Sequence, residues 1–168
     1  MKLEKQFLSK DNKLYFLDGT ECSVQNIPIL GGNLCITEEY ARSVNSFSCI
    51  ELNWTQVGCD EESYNEEFLA SFRDFLKVLE EKKQYVFLIP VADKLPSSEE
   101  EKEAFVASMK HCARRIKDCA SVVGFAIPSE ETGVDVSFFI SELSAKHAHY
   151  VFFSRDSKVL SDSSIVKY

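Results

Sequence analysis

Several things are missing from this 168-residue chain, and each absence removes a class of function. It has no basic excess: 19 Lys and Arg stand against 27 Asp and Glu, for a formal charge of −8, and no basic patch stands out along the sequence. Nucleic-acid binding needs clustered cations to displace counterions from phosphates, so no nucleic-acid partner is expected. No stretch reaches the roughly 18 apolar residues of a membrane span, so no membrane partner is expected either. The first residues, MKLEKQFLSKDNK, lack the apolar centre of a secretory signal, so the chain is expected to be cytoplasmic. Six cysteines (Cys22, Cys35, Cys49, Cys59, Cys112 and Cys119) include no CxxC pair, and His111-Cys112 is adjacent rather than at ligand spacing. Zinc is not expected, nor is any other metal or cofactor, and without export the cysteines read as buried free thiols. The segment PILGGNL after the first apolar run lacks both GxGxxG and the P-loop Lys-Ser/Thr. None of the three histidines, His111, His147 and His149, can be placed beside a Ser or Cys as a nucleophile pair.

What is present is a succession of short apolar runs separated by amphipathic helices. The run at 121–131, SVVGFAIPSEE, is β-branched and aromatic and ends in turn formers, which reads as a strand buried on both faces. Such strands belong to parallel sheets, whose ligands collect at the carboxyl ends; Glu130 and Glu131 fall at that end. Residues 5–19 read as a hairpin turning at Asp11-Asn12, with Asp18-Gly19 as a second turn. Further strands are expected at 23–30, 48–54, 85–91 and 149–153, and an edge segment at 163–168. Helices are expected where Thr37 caps a short segment with Tyr40, Ala41 and Val44 on one face, and where Phe68, Leu69, Phe72, Phe75, Leu76 and Leu79 recur at helical spacing. Ser98 with Glu101 forms a capping box for a helix whose buried stripe is Phe105, Val106, Met109, Cys112, Ala113 and Ile116. Arg114, Arg115 and Lys117 near its end read as partners of the helix dipole in preference to an anion site. Val136, Phe139, Ile140 and Leu143 mark a last helix. The whole is a single α/β domain, 1–168, of parallel βα units with five core strands and an N-terminal hairpin, too short for a complete eight-fold barrel of roughly 200 residues or more.

The ordered set of segments resembles the first half of a clan-A glycoside hydrolase, most like family 5, the cellulases and endo-β-mannanases. LYFLDGTECSVQNI resembles the hairpin phrase that caps the bottom of that barrel. Trp54 closes SCIELNW as a tryptophan closes the family's second strand. Tyr64, Asn65, Glu66 and Leu69 match a phrase that starts the next helix. Val122, Gly124, Phe125, Ile127, Ser129 and Glu130 match the phrase carrying the acid/base glutamate. The resemblance implies a truncated, half-barrel fold, with Glu130 at the acid/base position and Ser129, Glu131 and Asp93 at the substrate end. It places Trp54 where sugars stack on aromatic faces; a tryptophan at that point is equally at home in the core.

The departures shape the functional expectation. Ser129 stands where the family has Asn. Cys49 to Leu52 offers no Arg, Pro90 to Ala92 offers no His, and the chain ends before the family's nucleophile strand. A retaining glycosidase needs two carboxylates roughly 5–5.5 Å apart, and only Glu51 and Asp93 remain as second members. The expectation is a glycosidase-like domain without activity, binding carbohydrate or a protein partner. One alternative is an active β-glycan hydrolase completed by homodimerisation, two copies closing one barrel. The other is an open doubly wound sheet of flavodoxin type serving a small ligand.

Overall fold

The computed structural model describes residues 2–31 and 46–168. The helix expected after Thr37, with Tyr40, Ala41 and Val44, lies outside the described residues, as does Cys35.

The chain opens with a small antiparallel sheet. Strands β1 (Phe7–Lys10) and β2 (Lys13–Phe16) meet through Asp11 and Asn12. Both turn residues have positive φ, 52° and 58°, as the tight hairpin twist demands, and Asp and Asn tolerate that region best after glycine. Strand β3 (Glu21–Cys22) joins β2 across the Asp18-Gly19 turn.

The main sheet has six strands in strict chain order, each parallel to the next: β4 (Ile29–Leu30), β5 (Phe47–Asn53), β6 (Tyr85–Val91), β7 (Val122–Ala126), β8 (Val151–Ser154) and β9 (Val166–Lys167). It curls into part of a barrel. A doubly wound sheet reverses its strand order at a switch point. This order never reverses, so the flavodoxin-like alternative is set aside. Two expected strands need correction. Of 23–30 only Ile29–Leu30 is strand, because a turn with Asn26 at φ 55° interrupts the run. The 121–131 strand stops at Ala126, and Glu130 and Glu131 lie instead in a 3-10 turn (Glu130–Thr132) closed by left-handed Gly133.

Four helices are described: α1 (Trp54–Val57), α2 (Glu66–Glu81), α3 (Glu99–Arg115) and α4 (Val136–Ser144). Their starts follow the expected chemistry. The side chains of Asn65, Ser98 and Asp135 accept from the amides of Phe68, Glu101 and Phe138. The capping box is shifted by one residue: the Glu101 carboxylate takes the Ser97 amide at 2.6 Å and its hydroxyl at 2.9 Å, rather than the Ser98 amide.

The sheet separates two cores. One lies under the helices, where Leu69, Phe72, Leu76, Phe105, Met109 and Phe139 pack against Ile50, Leu88 and Phe125. The other lies on the inner face, where Phe7 and Leu14 of the hairpin pack against Cys49, Phe87, Val123 and Phe153. Phe47 and Tyr85, the first residues of β5 and β6, ring Phe7 with centroids at 6.5 Å and 5.2 Å, so the hairpin plugs the amino end of the inner face. Every residue of β7 is buried, as a strand packed on both faces should be. Among the described residues the cysteines are free thiols, and burial pushes Cys49 up to about 11, which keeps it unreactive. No helix among them is long and apolar enough to cross a membrane.

Candidate functional site at the strand ends

With its amino end plugged, the inner face opens at the carboxyl ends of the strands. There the chain forms an open groove of about 670 Å³. Its walls come from four successive strand ends: Ile89 to Ala92 from β6, Ile127 to Glu131 after β7, Ser154 to Asp156 at the end of β8, and Tyr168 after β9. Ligand sites of parallel barrels occupy this end because the loops there are free to vary while the strands fix their bases.

Tyr168 lines the groove and rests on buried aromatic rings. Phe87 stacks on Phe153 at 4.0 Å, and the Tyr168 ring meets Phe87 edge-on at 4.9 Å. The Arg155 guanidinium lies 4.5 Å from the Tyr168 ring centre, and its Nε donates to the Tyr168 backbone oxygen at 3.3 Å. Burial pushes the Tyr168 hydroxyl above its ordinary range, with Arg155 acting against that rise. Along the groove, Ile127 and Pro128 offer apolar surface, while Ser129, Ser154 and Asp156 offer hydrogen-bonding groups.

Of the residues singled out in the sequence, Ser129, Glu130 and Glu131 line this groove. The Ser129 carbonyl accepts the Thr132 amide and hydroxyl at 3.0 and 2.8 Å, which holds the turn. Glu130 is 75% exposed and pairs with Lys158, itself 77% exposed, at 3.2 Å. That hydrogen bond raises the Lys158 ammonium above its ordinary range. A general acid needs burial or a facing carboxylate; Glu130 faces an ammonium across open water.

The other candidates are placed elsewhere. Asp93 follows β6, but its carboxylate takes the Thr55 amide at 3.0 Å and the Thr55 hydroxyl, so it caps α1. Glu51 stands level with Ile89 in the β5–β6 register, with its carboxylate against Gly31. The sugar-stacking expectation for Trp54 is corrected. Its side chain is 1% exposed, packs at 5.3 Å on Phe105, and donates from Nε1 to the Ser108 hydroxyl at 3.0 Å. No face of the indole is open to a ligand. The Tyr64-Asn65-Glu66 phrase also has a structural account: Asn65 caps α2, Glu66 pairs with His111 at 2.6 Å and Arg115 at 3.0 Å, and Tyr64 stacks on His111.

Sequence reasoning missed Arg155, Asp156 and Tyr168. The rule that selected Glu130, a polar residue just past a buried strand, selects Arg155 and Asp156 just as well after the HYVFF run. No group of three or more metal-ligating side chains occurs among the described residues.

No family model matches the chain, and no curated protein does. Solved structures do match. A protein described as a glycoside hydrolase superposes with a TM-score of 0.63 at 11% identity, covering 89% of this chain and 40% of its own. A β-1,4-D-mannanase from Cryptopygus antarcticus superposes with a TM-score of 0.59 at 8% identity, covering 90% of this chain and 61% of its own. At such identities the likeness is one of fold, and the chain spans less than two thirds of either protein. In fold, the chain resembles part of the barrel of these two proteins.

Proposed function

We propose that the chain is a non-catalytic, glycoside-hydrolase-like domain whose strand-end groove binds carbohydrate. The observation that carries this reading is the setting of Glu130 in that groove: it is exposed on the rim and paired with Lys158, with neither burial nor a facing carboxylate around it. Carbohydrate suits the remainder of the site. A pyranose presents apolar C–H faces and a belt of hydroxyls, and the groove sets Ile127 and Pro128 beside Ser129, Arg155 and Asp156.

The test is calorimetric titration with manno- and cello-oligosaccharides, alongside a reducing-sugar assay on the same samples. Saturable binding in the range of about 0.1–10 mM, weakened by Arg155→Ala and without turnover, is expected for a shallow site. Turnover abolished by Glu130→Gln would replace this reading with an active enzyme; light scattering would then show whether two copies complete the barrel. Failure of both sugar series to bind would overturn the carbohydrate assignment.

A further inference from the structure

The chain is acidic overall, yet one of its cavities is walled by basic side chains and one leucine, with no carboxylate in its lining. This cavity, of about 380 Å³, lies between the end of α3, the turn after α4 and the N-terminal segment. Lys2, Arg114, Lys117, Lys146, His147 and His149 line it, with Leu3 as the one other residue. Of the carboxylates in the adjoining grooves, Glu142 pairs with Lys110 at 2.7 Å, Asp118 with Arg73 at 2.5 Å and Asp74 with Arg73 at 3.8 Å, while Glu61 also lines one of them. Glu4 shares a small neighbouring cavity with His149.

The two imidazoles make this more than a basic surface. His147 is only 7% exposed, and its ring touches the rings of Tyr150 at 5.6 Å and His149 at 6.2 Å. Neither ring nitrogen of His149 has a hydrogen-bond partner among the described residues. Buried polar atoms are nearly always satisfied, and leaving them unpaired is costly. Burial, reinforced by the cations of Lys117, Lys146 and Lys2, holds His147 below its ordinary range; burial and His147 bring His149 down to about 4. Each neutral ring still carries one N–H to donate. Several cations lining one space, with the two imidazole rings in its wall, match an oxyanion with acceptor oxygens on every side. Arg114 also sits in the last turn of α3, where the dipole favours it, and the cavity gives it a second use.

We propose that this cavity binds a small dianionic oxyanion, a phosphate group either free or as a monoester. The site is separate from the strand-end groove and independent of the carbohydrate reading. The test titrates inorganic phosphate, glycerol phosphate and sulfate into the full chain at low ionic strength, following the histidine ring resonances by NMR. Saturable one-site binding is expected, about five-fold weaker in Lys117→Gln and again in Lys146→Gln, and unchanged in Lys13→Gln on the distant hairpin. All three lysines are exposed, so the variants keep the fold. The free and esterified arms distinguish the two sources of the phosphate group. Sulfate carries a fixed charge between pH 5 and 7, so a tightening of its affinity as pH falls comes from the protein, and the ring resonances report whether His147 and His149 carry it, since a bound anion favours the imidazolium. Glu4, Tyr150, Arg114 and the lysines face these rings, and Glu61, Tyr64, His111 and Glu142 line the groove that His147 also lines. No saturable binding, or equal weakening in Lys13→Gln and Lys117→Gln, would overturn the site. A pH-independent sulfate affinity with unmoved ring resonances would remove the histidines from it.

Discussion

The two ends of the sheet's inner face are finished in opposite ways. At the amino end, the hairpin brings Phe7 and Leu14, both at most 3% exposed, onto Phe47, Tyr85 and Phe87, and the space is filled. At the carboxyl end the same strands open into a groove whose ion pair, Glu130 with Lys158, stands in water. Barrels generally separate stability from ligand binding in this way. Here the same separation is seen in part of a barrel, with the hairpin closing the amino end. The hairpin is also tied down by one side chain: the Asn12 amide nitrogen lies 3.1, 2.9 and 2.7 Å from the carbonyls of Leu160, Asp162 and Ile165.

The largest effects should come from the closed part. Gly124 of β7 faces Val151 of β8 so closely that an added Cβ would lie 1.7 Å from the Val151 carbonyl oxygen. Gly124→Ala should cost about 4 kcal/mol or more, read as a lower urea midpoint or loss of soluble protein; near-native stability would mean that the β7–β8 pairing is looser than the ladder implies. Next comes a direct comparison of the two cores. Phe72→Ala under the helices and Phe87→Ala on the inner face should each cost about 3–5 kcal/mol. Equal losses would make the hairpin plug as firm as the helical layer. A Phe87→Ala cost well below that of Phe72→Ala would show the inner face yielding around the hole.

A smaller effect belongs to His149. Burial puts its folded pKa at about 4, below the ordinary value of 6.5 that it regains on unfolding. Between these values the unfolded chain binds more protons, so stability is lost as pH falls from about 6.5 towards 4. After allowance for the ring's remaining exposure, about 1–2 kcal/mol of this loss should belong to His149. Urea midpoints at pH 7 and pH 5 in phosphate-free, sulfate-free buffer measure it, and His149→Phe should flatten the slope.

Periodicity made the fold legible, and proximity made the site only half legible. The stripe from Leu69 to Leu79, the Asp11-Asn12 turn and the apolar run of β7 each encode their place locally, through helical spacing, tolerance of positive φ and burial on both faces. Glu130 could be found because it follows such a run. Tyr168 could not, because the β8–β9 pairing, not sequence spacing, sets it beside Arg155. The same holds for the basic cavity. Arg114 and Lys117 stand together in the sequence and read there as partners of the helix dipole, while Lys2 and Lys146 join them from separate segments. Trp54 shows the converse difficulty. A tryptophan at a strand end reads equally as platform or core, and Phe105 and Ser108, on a helix more than 50 residues further along the chain, settle it as core.

The smallest predicted effect is the one that bears most on function. If the groove rim is as open as its exposure indicates, the Glu130–Lys158 pair is screened by water and worth little, so Glu130→Gln should change stability by less than about 0.5 kcal/mol. A catalytic acid behaves differently, because the burial that tunes its proton affinity is a strain on the fold, and its removal commonly stabilises the protein. A gain of about 1 kcal/mol or more in Glu130→Gln, read from urea midpoints at pH 7, would therefore indicate a carboxylate held under strain and reopen the catalytic reading. A change within about 0.5 kcal/mol in either direction would leave Glu130 as a solvated rim group, which a binding groove can use and an acid/base mechanism cannot.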